Sequence, residues 1–408
     1  MKVKFVFVIF IIVLFSEYLF GQISVPHLGS TRSMSMGGVY TATNTGIDAL
    51  VGNPGGLALV TKAQLSVGGR LILLGTSSLE EDYYKDVNNY KTYSNKFGVN
   101  PKLLNAGLLV PIKVANFSNK LVGAISYRTF YDFSNKEITE TKDALDNRTE
   151  ETDIYHGLIN VLSLGIGTNI RDVLALGISF NVPILSGYKF EGETVEKTNY
   201  ATTKTENETE FDVTGGSFLQ FGGIIQINSQ LSVGASYLTS HKFKLKKGKS
   251  IEKEDGQIKY ETELPDERWA FPAYYNLGIA YRLAPDLLIA AEYQNRPWED
   301  VKHDGDELYY LESGGSYRLG VEYGTDLVFR TGFVVERQSE LDIDLEPVNF
   351  NGITAGMGYK TTDFILDLGG VFYFKSFDEL KASDRYYEFH FRQLTLFASL
   401  IYSLDFSL

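Results

Sequence analysis

Residues 29–60 read GSTRSMSMGGVYTATNTGIDALVGNPGGLALV, and the way this stretch is read decides the fold. Seven glycines, ten Ser, Thr or Ala residues and almost no charge make a poor helix and a poor strand. Such a composition suits backbone packed closely against something else. A free linker is expected to carry more charge and to lack Met34, Met36, Val39, Tyr40, Leu50, Val51 and Leu57, which need burial. The stretch therefore reads as a folded insert, and its host has to be sought in the rest of the chain.

From Lys62 onward apolar and polar residues alternate with period two, broken by turns. The pattern predicts strands near 63–74, 105–112, 121–133, 157–168, 174–188, 214–227, 231–243, 273–282, 287–295, 316–323, 327–336, 352–359, 364–374 and 394–406, fourteen in all. The links alternate too. KVANFSNK, NIRDV, NSQ, LAPD, GTD and KTTD are short, and the others are long, polar and rich in Tyr, Lys and Glu. Short turns on one side and long loops on the other, with both ends of the chain on the short side, are the signature of an outer-membrane barrel. A soluble sandwich is not expected to sort its loops so consistently.

Within the strands, one face of 327–336 holds Leu327, Phe329, Thr331, Phe333 and Val335, and the other holds Val328, Arg330, Gly332, Val334 and Glu336. The first set suits lipid and the second a lumen. Closure requires the last strand to pair with the first, because an open edge in lipid leaves backbone groups unsatisfied. Strand glycines such as Gly68, Gly69, Gly165, Gly167, Gly222 and Gly223 fit bends of a barrel or contact with an inner plug.

Composition agrees. There is no cysteine, so neither a disulfide framework nor a thiolate metal site is available. Residues 1–21 carry Lys2 and Lys4 ahead of an apolar run from Phe5 to Phe15, too short to span a bilayer, and read as a secretory signal. No other run approaches the ~18 apolar residues of a spanning helix. The formal charge of −13 argues against nucleic acid, and most of the acid lies in segments read as loops, such as 137–153, 191–210 and 252–267. The fold class is therefore all-β: an exported, transmembrane antiparallel barrel of about fourteen strands (62–408), preceded by an N-terminal hatch or plug (22–61) inside its lumen.

Residues 34–59, MSMGGVYTATNTGIDALVGNPGGLAL, resemble the N-terminal hatch of the FadL/TodX family of outer-membrane transporters for hydrophobic compounds. The family pattern is a Gly-rich start, here Gly37-Gly38, a small-residue middle and an Asn-Pro-Ala-Gly-Leu end. Asn53-Pro54-Gly55-Gly56-Leu57 departs from it at Gly55, a change expected to loosen the hatch. Residues 271–282, FPAYYNLGIAYR, and the strands containing 317–323 and 330–333 look like the family's barrel hairpins. The resemblance implies a lumen closed by the hatch and a ligand that enters from outside, sits among apolar lumen groups and leaves sideways into the membrane. Fatty-acid-like molecules, the lipid bilayer and lipopolysaccharide are the implied partners, and a monomer the expected state.

Candidate site residues follow in two groups. Asn53, Pro54, Gly55, Gly37 and Gly38 are the candidate gate. Glu292, Arg318, Glu322, Arg330 and Glu336 are inward charges expected to form a salt-bridged wall that holds the hatch, with Arg318, Arg330 or Arg128 able to meet a ligand carboxylate. The aromatic pairs Tyr83-Tyr84, Phe130-Tyr131, Tyr309-Tyr310 and Tyr386-Tyr387 read as interfacial girdle residues or, less simply, as a surface capture groove. Neither a His-Glu-x-x-His helix nor a Gly-x-Ser-x-Gly elbow occurs, so no enzyme, cofactor or metal is expected. Two functions compete: hatch-gated transport of long-chain fatty acids or similar compounds, and a non-transporting barrel of the same superfamily serving as a partner in protein secretion, like the shuttle component of the type IX system.

Overall fold

The structure, a computed structural model, describes residues 30–83, 91–96, 100–112, 120–132, 135–142, 148–197, 202–307, 313–341, 347–380 and 385–405. The signal-peptide reading, Gly29, Tyr84 and Tyr309-Tyr310 lie outside them.

Fourteen strands form the wall: β1 (Ala63–Tyr83), β2 (Asn100–Ile112), β3 (Lys120–Asp132), β4 (Arg148–Ile170), β5 (Leu174–Lys197), β6 (Phe218–Gln226) and β7 (Leu231–Leu238), then β8 (Tyr274–Ala284), β9 (Leu287–Arg296), β10 (Gly314–Gly324), β11 (Leu327–Leu341), β12 (Pro347–Lys360), β13 (Phe364–Leu380) and β14 (Arg385–Leu404). Each pairs antiparallel with its neighbours in sequence. β14 then closes on β1 from Leu404 opposite Ala63 to Arg385 opposite Tyr83. All wall strands are thereby paired on both sides, which lipid demands of a β structure.

Exposed apolar residues make the outer belt, among them Leu65, Leu164, Ile166, Phe180, Leu277, Leu319, Phe333 and Leu368. Aromatic rows border it. Tyr237 faces Tyr275, and Tyr293 lies 5.3 Å, ring to ring, from Tyr317 on the long-loop side, while Tyr281, Tyr323, Phe329, Tyr359 and Tyr402 are exposed near the short turns. This banding is that of a membrane-spanning barrel.

Two segments correct the sequence reading. Most of the acidic stretches 137–153, 191–210 and 252–267 are strand, not loop: Asn135–Lys142 pairs with the start of β4, and β5 runs on to Lys197 and is followed by hairpin strands Thr202–Gly215, His241–Glu254 and Gln257–Leu264. Opposite charges face one another across this upper sheet, where Lys189 Nζ lies 2.8 Å from Glu208 and Lys204 Nζ 3.0 Å from Glu193. Thr, Val and Ile supply β propensity between them, so polarity alone was a poor sign of irregular structure. Phe130 and Tyr131 are buried, not interfacial. A β-bulge between Thr129 and Tyr131 breaks the alternation and brings the two adjacent rings together in one inner cluster.

Residues 30–60 lie inside the ring. Thr31–Met34 forms one helical turn capped by Ser30, and Gly46–Leu50 and Pro54–Leu59 are 3-10 turns, the latter capped by Asn53. Nearly every residue of the segment is buried, and its apolar anchors, of which three are the larger, meet different parts of the wall. Met34 packs with Phe350 and Tyr373; Met36 and Val39 pack with Ala280 and Leu288; Ile47, Leu50 and Leu57 pack with Leu109 and Val122.

Candidate functional site

The N-terminal segment can reach so many strands because the wall offers glycine where it passes. A methyl group on Gly177 or Gly222 would strike Pro54 and Asn53, and one on Gly332 would strike Met36 and Gly37. Gly165 and Gly167 meet Leu57 in the same way, whereas Gly68 and Gly223 meet only wall residues. The expected plug contact thus holds for three of the strand glycines named from sequence: Gly165, Gly167 and Gly222.

The residues of the candidate gate occupy two of these crossings. Gly37 has φ +71°, and a Cβ there would sit 2.5 Å from the Leu319 carbonyl oxygen. Its N–H donates to Thr354 Oγ1 at 2.8 Å, while Gly38, φ +82°, lies against the Arg318 side chain. Asn53 is fully buried and uses its whole amide: Nδ2 donates to the carbonyls of Thr41 (2.6 Å) and Gly223 (3.0 Å), and Oδ1 accepts from Gly55 N–H at 3.0 Å. At Gly55 a Cβ would come within 3.0 Å of Ala175 O and 3.1 Å of Gly222 O. An alanine at this position would press on those carbonyl oxygens by a few tenths of an ångström, so the glycine suits a close crossing of the wall.

The inward charges assemble into two networks on β9–β13. In the first, Arg318 Nη1 donates to Glu292 Oε1 at 2.9 Å, and its Nη2 donates to Glu336 Oε1 at 2.6 Å and Gln294 Oε1 at 2.9 Å. Glu336 also accepts from Arg296 at 3.0 Å. The second oxygen of Glu292 accepts the backbone N–H groups of Tyr40 (2.8 Å) and Thr41 (2.6 Å), so the network ends on the N-terminal segment. In the second, Glu322 receives Arg32 through both oxygens (2.8 and 3.1 Å) and Arg330 at 2.8 Å, and Arg330 donates to Asp367 at 2.7 Å. A fork-to-fork pair of this kind fixes orientation as well as charge. Arg32, Arg296 and Asp367 were missed from sequence. An arginine set in an otherwise nearly uncharged buried stretch was the signal for Arg32.

Arg128 is placed differently. It is 1% exposed on β3, yet its partners are neutral: Nε donates to Ser163 Oγ and Nη2 to Asn181 Oδ1, both at 3.2 Å. Nη1 has no hydrogen-bond partner. A buried guanidinium is costly without a counter-charge, and here none of the described carboxylates supplies one. Its charge lies 5.2 Å from the centre of the Phe130 ring. Phe130 opens a cluster with Tyr131, Phe218, Leu238 and Phe243, closed by His241, whose ring stacks on Phe271 at 5.4 Å and whose Nε2 lies 3.2 Å from Tyr131 Oη. Along β6 and β7 the cluster lies toward the long loops from the crossings at Gly222 and Gly234, where the N-terminal segment touches the same strands. Arg70 and Lys102, nearby on β1 and β2, both bond Asp132 and are not comparable.

No protein-family model and no curated protein matches the chain. Solved structures do. The Pseudomonas putida toluene transporter TodX is similar at TM-score 0.61 and 14% identity, covering 92% of this chain and 98% of that one. The Ralstonia pickettii toluene transporter TbuX follows at 0.55 and 14%, covering 93% and 100%. A Pseudomonas aeruginosa FadL homologue stands at 0.57 and 13%, covering 95% and 100%. Agreement over nearly the whole length of both chains joins what the strand order, the lipid-facing belt and the filled lumen already indicate: this chain has the fold of the FadL/TodX outer-membrane barrels.

Proposed function

We propose that the protein carries hydrophobic small molecules across the outer membrane, that the N-terminal segment is its hatch, and that its ligands bear a carboxylate, as long-chain fatty acids do. The transport reading is supported by the fold and by neighbours described as toluene transporters and a FadL homologue. Of those names only toluene specifies a ligand, and it is a neutral hydrocarbon. The observation that favours an acid is Arg128, a buried cation with only neutral partners and an orphaned Nη1, set beside a cluster of rings and aliphatic groups. A ligand carboxylate would supply the missing anion, and its chain would gain ~0.8 kcal/mol for each CH₂ taken out of water.

The same reading assigns Glu292, Arg318, Glu322 and Arg330 to holding the hatch, not to ligand. Release of Tyr40 and Thr41 from Glu292, and of Arg32 from Glu322, would be the step that opens it. The test is uptake and binding by Arg128→Met, measured with a long-chain fatty acid and with a neutral hydrocarbon of similar length. Acid binding is expected to fall at least tenfold while the neutral compound is unaffected. Equal behaviour toward both would sink the carboxylate assignment, and absence of uptake of either by the unaltered protein would sink transport itself.

A further inference from the structure

Most lysines higher on the upper sheet have an acid. Lys189 bonds Glu191 and Glu208, Lys204 bonds Glu193 and Glu206, and Lys249 bonds Glu261, all on the outward face. At the foot of the same sheet the pattern stops. His241, Phe243 and Leu245 turn inward, which leaves Lys242, Lys244 and Lys246 on the outward face, and Arg268 stands opposite Lys244 in register. None of these four cations makes an ion pair with a described residue. Asp212, opposite Lys246, is already held by Lys247 at 2.8 Å. Four unpaired cations side by side are conspicuous in a chain of net charge −13. Their height matters as well. Lys242 lies five residues beyond Tyr237 of the outer aromatic row, roughly 13 Å up a wall of ~3.3 Å per residue tilted by ~40°. That is above the hydrocarbon and beyond the ~5–8 Å headgroup layer of an ordinary phospholipid, at a height that a lipid with a saccharide headgroup reaches.

We propose that Lys242, Lys244, Lys246 and Arg268 form a docking site for the phosphorylated saccharide headgroup of lipopolysaccharide in the outer leaflet. The argument is charge complementarity continuous with the lipid-facing belt: a cluster of exposed cations gains about 1 kcal/mol for each Lys or Arg held near an anionic lipid surface, and Arg268 adds a fork suited to phosphate. It rests on the outer-membrane barrel and is independent of what the lumen carries.

The experiment titrates the purified full chain, in uncharged detergent, with lipopolysaccharide, with the same lipid after phosphate removal, and with inorganic phosphate, reading bound lipid by native mass spectrometry and the rise in Tm. The variant Lys242→Gln/Lys244→Gln/Lys246→Gln/Arg268→Gln is expected to bind lipopolysaccharide at least tenfold more weakly and to lose the rise in Tm. Lys249→Gln/Lys253→Gln, which removes paired cations higher on the sheet, and the charge-keeping Lys242→Arg/Lys244→Arg/Lys246→Arg are expected to bind as the parent does. Undiminished binding by the Gln variant, equal binding of the dephosphorylated lipid, or an equal rise in Tm with inorganic phosphate would each overturn the assignment.

Discussion

Two arginines on opposite sides of one lumen, Arg318 on β10 and Arg128 on β3, are both buried, yet they are built to opposite rules. Arg318 is enclosed by two carboxylates and an amide of the wall, and one of those carboxylates, Glu292, also holds the backbone of the N-terminal segment. Arg128 is enclosed by a hydroxyl, an amide and aromatic rings, and keeps one nitrogen unused. The difference teaches that charge is buried in this barrel in two ways: paired within the chain where geometry must be fixed, and left with neutral partners at Arg128, where the proposed function puts a ligand carboxylate.

The sharpest way to break the comparison is Arg318→Ala. It strands Glu292 without a counter-charge and leaves Glu336 with Arg296 alone, and breaking a buried pair in this way costs about 3–5 kcal/mol. The expected readings are a lower unfolding midpoint in denaturant and a raised leak of large polar solutes through the barrel. Unchanged midpoint and leak would show that the network grips nothing. Leu50→Ala, by contrast, attacks the apolar anchorage on the β2–β3 side, where Leu50 packs with Leu57, Leu109 and Val122. A loss of about 2–5 kcal/mol is expected for such a truncation, again read from denaturant unfolding. If leak follows Arg318→Ala but not Leu50→Ala, charge and not packing sets the closed position.

Arg128→Met is expected to do the reverse of Arg318→Ala, leaving stability unchanged or slightly improved, since it removes a buried charge without orphaning an acid. Its signature is the selective loss of carboxylate ligands described above. The smallest effect belongs to the upper sheet. Hydrogen bonds from Lys204 and Lys189 hold the carboxyl groups of Glu206 and Glu208 below the usual carboxylate range. Groups depressed in the folded state stabilise it above their unfolded values and lose that contribution as pH falls through the folded ones. The ion-pair ladder should therefore loosen only below about pH 4.3, the ordinary Glu value. Exposed pairs contribute little, so the expected outcome is a lower protection factor along 202–215 at pH 3 than at pH 6, with the wall strands unmoved. Protection factors that are flat with pH would remove the ladder as a reason for the strand.

How much of this was legible in the chain varies with the physical signal. The fourteen wall strands and the closure of β14 on β1 follow from alternation, because lipid on one side and a polar lumen on the other impose it residue by residue. The grouping of Glu292, Arg318, Glu322, Arg330 and Glu336 followed from the same parity. What parity could not carry was a change of parity: the bulge at Phe130 turned two rings inward that the pattern assigned to the interface. Nor could it show which charges have partners. Arg128 and Arg330 look alike as inward arginines, and only the neighbours contributed by β4, β5 and β13 distinguish them. The upper strands were hidden for another reason, since outside the membrane both faces of a sheet are wet and alternation between apolar and polar fades.

The fork between Arg32 and Glu322 joins residues 290 apart in the chain. Thr354, which bonds both Ser35 and Gly37, is farther still. In the order of synthesis and export, then, the segment that fills the lumen emerges long before the strands that grip it. Its apolar anchorage on β2 and β3 and its crossings at β5 and β6 have partners earlier, but the bonds that hold Arg32 and Gly37 wait for β10 to β13. The lumen is therefore fully gripped only when the last strands complete a socket for a segment made long before them.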